Sequence, residues 1–244
     1  MGADGGGAGE RDSQDFCGVQ TMTIYRVNDI YTTIQGEGVQ TGVPMVLLRL
    51  HGCGVGCPWC DTKETWVVED DQRRLSIGDS LGANGRWCSL SGSEIAAYIK
   101  ENHPGPQWVL VTGGEPAEQD LESLTSALHD AGYKIALETS GTAIGHLPAS
   151  FDWVCVSPKI GMPGGKAIFP AAVQVASEIK HVVGKQGDID ALLQLIEDCQ
   201  ITGNTQICLQ PVSKSEKATA LCIQTVQERG WRLSIQMHKY IGVA

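Results

Sequence analysis

Short apolar segments and amphipathic segments alternate over roughly 200 residues, and this alternation restricts the possible folds more than any other feature of the chain. The apolar segments are rich in branched residues and short enough to be buried strands. We predict strands at residues 45–50, 108–112, 135–139, 153–157, 179–183, 206–210 and 233–236. Apolar residues that recur every three or four positions predict helices at residues 93–102, 120–131, 188–200 and 216–229.

Strands that alternate with helices favour a parallel sheet covered by helices. Right-handed crossovers curl such a sheet into a barrel or a partial barrel. We therefore predict one α/β domain over residues 22–244, since no linker rich in Pro, Gly or Ser divides it. Residues 1–21 are rich in Gly and polar residues and are predicted to form a flexible extension. The polar, turn-rich stretch 69–90 is predicted to be an insertion.

The composition disfavours several classes of function. The 244 residues include 18 Lys and Arg against 28 Asp and Glu, a net charge of -10, which disfavours nonspecific binding to nucleic acid or anionic membranes. No apolar run reaches the roughly 18 residues that a membrane-spanning helix needs. The N-terminal segment lacks the basic and apolar regions of a signal peptide. We expect a cytoplasmic protein that acts on a small polar substrate.

Polar residues collect where the predicted strands end. They are His51, Thr112 to Glu115, Glu138 to Ser140, Ser157 to Lys159, Gln210 and Gln236 to His238. The carboxyl ends of parallel strands meet at one edge of a sheet or one mouth of a barrel, where active sites form. The sequence therefore predicts that these residues converge on one polar cavity.

Three of the nine cysteines, Cys53, Cys57 and Cys60, form a Cys-x3-Cys-x2-Cys cluster among glycines, whereas the other six are scattered. This arrangement argues against a disulfide framework and for metal or redox chemistry. A zinc site would need a fourth ligand, for which Cys88 and His51 are candidates. Three cysteines on an iron–sulfur cubane leave one iron open. The pattern favours the iron–sulfur cluster, with zinc as the alternative.

The cysteine segment, in which Trp59 precedes the last cysteine, resembles that of the radical S-adenosylmethionine (SAM) enzymes. Gly113-Gly114-Glu115-Pro116, directly after a predicted strand, is similar to the family's motif for the amino group of SAM. Glycines allow close backbone approach, and a carboxylate pairs with an ammonium. The resemblance implies a partial parallel β/α barrel, a [4Fe–4S] cluster with one open iron, and SAM bound to that iron.

Further motifs narrow the resemblance to the 7-carboxy-7-deazaguanine synthases, which are radical SAM lyases of queuosine and deazapurine biosynthesis. The motifs are Gln35-Gly36-Glu37-Gly38 with Gly42, Leu48-Arg49-Leu50, Cys60-Asp61-Thr62-Lys63, Glu138-Thr139-Ser140-Gly141, Ser157-Pro158-Lys159 and Gln236-Met237-His238-Lys239-Tyr240. The resemblance covers residues 22–244 except the stretch 69–90. It implies a ring contraction of 6-carboxy-5,6,7,8-tetrahydropterin to 7-carboxy-7-deazaguanine with loss of ammonia, in which SAM is regenerated and Mg²⁺ assists.

The resemblance also implies roles for single residues, with no catalytic residue beyond the radical that the cofactor generates. Cys53, Cys57 and Cys60 would bind the cluster, and the Thr62 hydroxyl would bind Mg²⁺. The residues implied for SAM are Trp59, Asp61, Gly114, Glu115, Ser157, Lys159, Gln210, Pro211, Val212 and Ser213. Those implied for the substrate are Ile34, Gln35, Gly36, Glu37, Arg49, Thr112, His238 and, through its terminal carboxylate, Ala244.

Two other functions stay open at this point. A glycyl-radical-enzyme activase would share the cysteine loop and the partial barrel but would act on a protein. A zinc-binding module would have no catalytic activity. For the favoured function the resemblance implies a homodimer and a reducing partner such as flavodoxin or ferredoxin.

Overall fold

Residues 23–82, 84–144, 150–212 and 214–242 are described in the computed structural model. The predicted extension over residues 1–21 lies outside these ranges, as do Ser213 and Ala244. The strands are β1 (Ile24–Ile34), β2 (Pro44–Leu50), β3 (Arg73–Arg74), β4 (Trp87–Ser91), β5 (Trp108–Gly113), β6 (Lys134–Thr139), β7 (Trp153–Val156), β8 (Glu178–Val183), β9 (Gln206–Pro211) and β10 (Arg232–Leu233). The α-helices are α1 (Ile77–Ser80), α2 (Gly92–Asn102), α3 (Glu122–Asp130), α4 (Pro170–Gln174), α5 (Gln186–Asp198), α6 (Glu216–Arg229) and α7 (His238–Ile241).

The strands form one sheet in the order β10-β9-β8-β7-β6-β5-β2-β1-β4-β3. The run from β2 through β5 to β10 is parallel, whereas β1 is antiparallel to both β2 and β4. In the described residues β10 and β3 are the two edges of this sheet, so the curved sheet is open. The predicted partial parallel β/α barrel is confirmed.

The four predicted helices are present as α2, α3, α5 and α6, with ends that differ by no more than two residues from the prediction. Their boundaries follow from local chemistry. The Ser91 hydroxyl accepts a hydrogen bond from the Glu94 backbone N–H, and the Glu94 carboxylate accepts one from the Ser91 N–H, which begins α2. Gly230 adopts a left-handed conformation with φ of +69° and ends α6.

The sequence analysis missed β1, which is the longest strand of the described sheet. Its pattern of alternating residues is obscured by two buried polar residues, Asn28 and Asp29. The Asn28 amide nitrogen donates a hydrogen bond to the Arg86 carbonyl oxygen, which offsets the cost of burying that amide. Buried polar residues that find partners elsewhere in the fold cannot be recognised from the strand alone.

Two further predictions need correction. The last strand comprises only Arg232–Leu233 instead of residues 233–236, although the Ser234 N–H still donates to the Leu209 carbonyl oxygen and its hydroxyl donates to the Gln210 side-chain oxygen. The stretch 69–90 is not entirely an insertion, since its last residues belong to β4. There Trp87 and Cys88 are buried, and Cys88 pairs with Val27 of β1.

Apolar residues on the outer face of the sheet pack against the helices and form one large core. In β8, Ile179 and Val183 belong to this core, whereas the alternate residues Lys180 and Val182 point to the inner face and line a cavity. Throughout the described ranges, no helix is both long and apolar enough to cross a membrane.

Candidate active site

A cavity of about 400 Å³ opens at the carboxyl ends of the parallel strands. Residues from the ends of β2, β5, β6, β8 and β9 line it, together with the cysteine loop and the segment that follows β10. The predicted convergence of polar strand ends is confirmed, with the exception of His51. The His51 ring lies outside the cavity, where it stacks on Trp87 and donates a hydrogen bond from Nε2 to the Val67 carbonyl oxygen.

Cys53, Cys57 and Cys60 all line this cavity. The loop that carries them is held by the segment that follows it, since the Cys53 N–H donates to the Trp66 carbonyl oxygen at 3.1 Å. Gly52 and Gly56 have φ of +107° and +72°, conformations that favour glycine. The loop therefore turns sharply on both sides of Cys53 and presents its sulfurs to the cavity.

The donor set suits an iron–sulfur cluster. In the described part of the chain, no three Cys, His, Asp or Glu side chains meet around one point as the ligands of a single ion would. A cubane does not need such a point, because each cysteine binds a different iron. The proposed fourth zinc ligands are also misplaced, because neither Cys88 nor His51 lines the cavity.

The pKa of the Cys53 thiol is raised to about 11, chiefly by burial and to a smaller extent by the nearby Glu115 and Glu118 carboxylates. Burial also raises the pKa of Cys57. The protein alone therefore favours protonated thiols at neutral pH. Cations that bind the sulfurs must supply the free energy that releases these protons.

Gly113 and Gly114 bring β5 against the start of the cysteine loop. A Cβ atom on Gly114 would lie 2.1 Å from the Gly52 carbonyl oxygen and 3.1 Å from the Cys53 Cβ. These glycines therefore allow a close approach of the cysteine loop, and both also line the cavity. The segment thus fixes the position of the first cysteine.

The Glu115 carboxylate lines the cavity but is 2% exposed. It accepts hydrogen bonds from the Thr139 hydroxyl at 2.6 Å, the Ser140 N–H at 2.7 Å and the Ala117 N–H at 3.0 Å. Burial raises its pKa, while the hydrogen bonds from Ser140 and Thr139 oppose that effect. A carboxylate has about four acceptor positions. Glu115 therefore ties the end of β5 to the end of β6.

Arg49 of β2 also lines the cavity, and its Nη2 donates a hydrogen bond to the Tyr31 hydroxyl at 3.1 Å. Its Nε is buried and has no hydrogen-bond partner among the described residues. An unpaired buried donor on a guanidinium is costly unless an acceptor reaches it. The arrangement suits an anionic ligand such as a carboxylate.

An ion network occupies the floor of the cavity. Lys180, whose side chain is 4% exposed, donates from Nζ to Glu37 Oε2 at 2.6 Å and to Glu138 Oε1 at 3.0 Å. Gln236 Nε2 donates to the other oxygen of Glu37 at 2.9 Å, and Gln35 Nε2 donates to Glu138 Oε1 at 3.2 Å. This network joins the loop after β1, the strands β6 and β8, and the C-terminal segment.

The contacts within this network keep Glu37 and Lys180 ionised. Burial alone would raise the pKa of Glu37, but the Lys180 charge and hydrogen bond outweigh it and hold this pKa at about 2. Burial lowers the pKa of Lys180, whereas Glu138 and Glu37 raise it well above its ordinary value. Glu37 is therefore an anion and Lys180 a cation at neutral pH. The sequence analysis missed Lys180, although a lysine within the apolar strand Glu178–Val183 was a signal of buried charge.

The C-terminal segment closes one side of the cavity. His238 lines it, and a Cβ on Gly36 would lie 2.8 Å from His238 Nδ1. The Met237 N–H donates to the Gly36 carbonyl oxygen at 2.9 Å. Gly36 is therefore needed for the close contact between the loop after β1 and the segment before α7.

Most of the residues implied by the resemblance line this cavity. They are Ile34, Gln35, Gly36, Glu37, Arg49, Trp59, Asp61, Thr62, Thr112, Gly114, Glu115, Ser157, Lys159, Gln210 and His238. Pro211 and Val212 do not, and the Val212 N–H donates instead to the Val183 carbonyl oxygen. Lys159 donates from Nζ to the Ser157 hydroxyl at 2.6 Å.

Comparison with known proteins decides the family. No protein-family model matches the chain. The 7-carboxy-7-deazaguanine synthase of Escherichia coli K12 is 42% identical over 224 residues, which are 90% of this chain and 99% of that protein. The synthase of a Synechocystis strain is 33% identical over 229 residues, 92% of this chain and 96% of its own length. This chain belongs to the 7-carboxy-7-deazaguanine synthase family.

The structural comparison agrees with the sequences. A crystal structure of QueE from Escherichia coli matches with a TM-score of 0.83 and 41% identity, and the match covers 88% of this chain and 95% of that chain. Membership of the synthase family confirms a radical SAM lyase that uses a [4Fe–4S] cluster, SAM and Mg²⁺. The activase and the zinc-binding module are thereby rejected as alternatives.

Proposed function

We propose that this cavity carries out the reaction of the 7-carboxy-7-deazaguanine synthases. The chain contracts the ring of 6-carboxy-5,6,7,8-tetrahydropterin to 7-carboxy-7-deazaguanine, with loss of ammonia. The observation that carries the proposal is the composition of one cavity, which is lined by three cysteines, by Arg49 and by the Glu37–Lys180–Glu138 network.

We assign one set of residues of the cavity lining to the cofactors. Cys53, Cys57 and Cys60 hold the cluster, and the bound cluster and SAM supply the radical chemistry of the reaction. The SAM-binding set comprises Trp59, Asp61, Gly114, Glu115, Ser157, Lys159 and Gln210, all of which line the cavity, with Pro211, Val212 and Ser213 as the adjoining residues. The Thr62 hydroxyl is our candidate ligand for Mg²⁺, because it lines the cavity and a hard cation prefers oxygen.

We assign other residues of the cavity lining to binding and orienting the substrate. Arg49 binds the pterin carboxylate, since a planar guanidinium offers a two-pronged match to a carboxylate. Glu37 and Glu138 accept hydrogen bonds from the ring N–H groups, and Gln35 and His238 contact the pterin edge. Ile34, Gly36 and Thr112 complete the substrate-binding set. Fixed orientation and exclusion of water are what the protein must supply to a radical rearrangement.

The wider setting is also proposed. We assign residues 22–244 to the catalytic domain and infer a homodimer that receives electrons from a flavodoxin or ferredoxin. The unpaired thiols of the described cysteines are compatible with a reducing compartment, which supports a cytoplasmic location.

The test is anaerobic incubation of the reconstituted protein with reductant, SAM and 6-carboxytetrahydropterin, with chromatography for the deazaguanine acid. Product should form with the natural chain and with Cys222→Ala, whose cysteine lies on the buried face of α6. Cys53→Ala should lose both the cluster and the product. A reconstituted protein that carries the full cluster and cleaves SAM but forms no deazaguanine would contradict the proposal.

A further inference from the structure

Trp66 links the two ends of the cysteine loop. It follows the 3₁₀-helix Lys63–Thr65 and lines the cavity. Its backbone carbonyl oxygen accepts the hydrogen bond from the Cys53 N–H at 3.1 Å, and its indole Nε1 donates to Cys60 Sγ at 3.4 Å. One residue outside the cysteine motif thus contacts both the first and the last of the three cysteines.

Cys60 differs from the other two cysteines in the number of its donors. Its sulfur accepts hydrogen bonds from the Trp66 indole and from the Thr62 backbone N–H, both at 3.4 Å. Within the described residues, no side chain donates a hydrogen bond to the sulfur of Cys53 or Cys57. The Trp66 indole N–H is therefore a side-chain contact that distinguishes Cys60 from the other two cysteines.

The chemistry of the cluster gives this bond a consequence. Reduction adds one electron from a low-potential donor, and the added negative charge spreads onto the sulfurs. A donor N–H directed at a cluster thiolate stabilises the more negative, reduced state and raises the reduction potential. The Lys63 ammonium lies 5.9 Å from the centre of the Trp66 ring. Its positive charge also favours the more negative, reduced state of the cluster.

We propose that the Trp66 indole N–H raises the reduction potential of the [4Fe–4S] cluster through its hydrogen bond to Cys60. The inference rests on the proposed function, since it requires that the three cysteines hold the cluster. Trp66 is a positioning residue, because it acts on the cluster through Cys60. By raising the reduction potential, it allows a low-potential one-electron donor to reduce the cluster.

The experiment is an anaerobic redox titration of the reconstituted holoprotein, followed by electron paramagnetic resonance. Trp66→Phe keeps the ring and removes the donor. At a fixed potential the ratio of reduced to oxidised cluster should fall about tenfold, a shift of about 59 mV to more negative potential for a one-electron couple. Trp66→His keeps a ring N–H and should restore most of the potential.

Trp87→Phe is the matched control, because its indole also donates one hydrogen bond, to the Glu69 carbonyl oxygen at 3.1 Å. This variant should keep the potential of the natural chain. An unchanged potential in Trp66→Phe with full iron content would overturn the proposal, and so would an equal shift in Trp87→Phe.

Loss of the cluster from Trp66→Phe is also informative. If Trp66→His then retains the cluster, the N–H donor is what matters and the proposal is supported. If both Trp66 variants lose the cluster while Trp87→Phe retains it, the indole acts by packing alone and the proposal fails. A natural chain without the spectrum of a reduced [4Fe–4S] cluster would count against the proposed function instead.

Discussion

Arg49 and His181 both have buried nitrogen atoms and can carry charge, and the surroundings determine the hydrogen bonding of the first and the protonation of the second. Arg49 keeps an unpaired buried Nε that faces a candidate acceptor site. His181, on the opposite face of β8, is buried against the helices, and burial lowers its pKa to about 4. Substitution of Arg49 tests substrate binding, and substitution of His181 tests how the unfolding free energy depends on pH.

Arg49→Lys should raise KM for the pterin acid about tenfold, because an ammonium cannot reproduce the paired hydrogen bonds of a guanidinium, and one such bond to a charged group contributes about 1.5 kcal/mol or more. SAM affinity and iron content should not change. Steady-state kinetics and equilibrium binding of SAM measure the two effects. Parallel losses of substrate and SAM affinity would give Arg49 a structural role instead.

His181→Leu should make unfolding less sensitive to acid. In the folded state the His181 pKa is about 4, below its ordinary value of 6.5, so the unfolded chain binds this proton first as the pH falls. Stability from the neutral ring is complete above pH 6.5 and is lost between that pH and pH 4. By pH 5 the unfolding free energy should have lost about 2 kcal/mol of this contribution.

Urea unfolding of the natural chain and of His181→Leu at pH 7 and pH 5, under anaerobic conditions, measures this difference. The unfolding free energy of the variant should fall less between the two pH values than that of the natural chain. Equal changes in both proteins would show that His181 is protonated in the folded state at pH 5.

Elements of this fold depend on backbone contacts between loops that are distant in sequence. The segment after β7 packs on the cysteine loop, where the Gly164 N–H donates to the Val55 carbonyl oxygen at 3.1 Å. A Cβ on Gly164 would lie 2.1 Å from the Gly54 carbonyl oxygen and 2.6 Å from that of Val55. The cysteine loop can therefore keep its shape only while a glycine occupies position 164.

Gly164→Ala should shorten the lifetime of the cluster in air about tenfold, because the methyl group must displace backbone atoms and such overpacking costs about 1–3 kcal/mol. The decay of iron–sulfur absorption measures it. Gly203→Ala is the control, since nothing lies within 4 Å of a Cβ there. The reasoning fails if both variants lose the cluster at the same rate while circular dichroism shows intact helices.

At the scale of the whole molecule, the ion network joins parts of the chain that are far apart in sequence. Glu37 follows β1, Glu138 lies in β6 and Lys180 in β8, and Gln236 adds the C-terminal segment. Removing one member of a buried ion network leaves uncompensated charge, which costs about 3–5 kcal/mol. The network therefore holds distant parts of the open sheet together and also lines the cavity that we assign to the substrate.

Lys180→Met should lower the unfolding free energy by about 3 kcal/mol or more and make substrate affinity depend on pH. With Lys180 present, the Glu37 pKa is about 2 and this carboxylate stays ionised in any assay. Without the lysine, burial raises that pKa, so affinity should fall as the pH is lowered. Lys217→Met, at an exposed position of α6, is the control.

KM of Lys180→Met measured from pH 8 to pH 5.5 checks the second part of this prediction. The natural chain and Lys217→Met should show no change of KM from Glu37 over this range. A pH-independent KM in Lys180→Met would mean that Glu37 keeps its charge by other contacts.

The sequence by itself determined the features that depend on short stretches of chain. Helices α2, α3, α5 and α6 and most of the parallel strands follow from local periodicity, and the cysteine cluster with Gly113 to Pro116 carries the family resemblance that the comparisons confirm. Convergence of the strand ends also follows, because a parallel sheet places all carboxyl ends at one edge.

Only the tertiary structure decided which distant groups meet. Lys180 faces the cavity and His181 the helices because of the register of β8, and a shift of one residue would exchange them. The ion pair of Lys180 with Glu37, 143 positions earlier, depends on the curvature of the whole sheet. Gly114 and Gly164 approach the cysteine loop for the same reason, since contacts between separate loops depend on how the sheet curves. Such contacts leave no pattern in the local sequence.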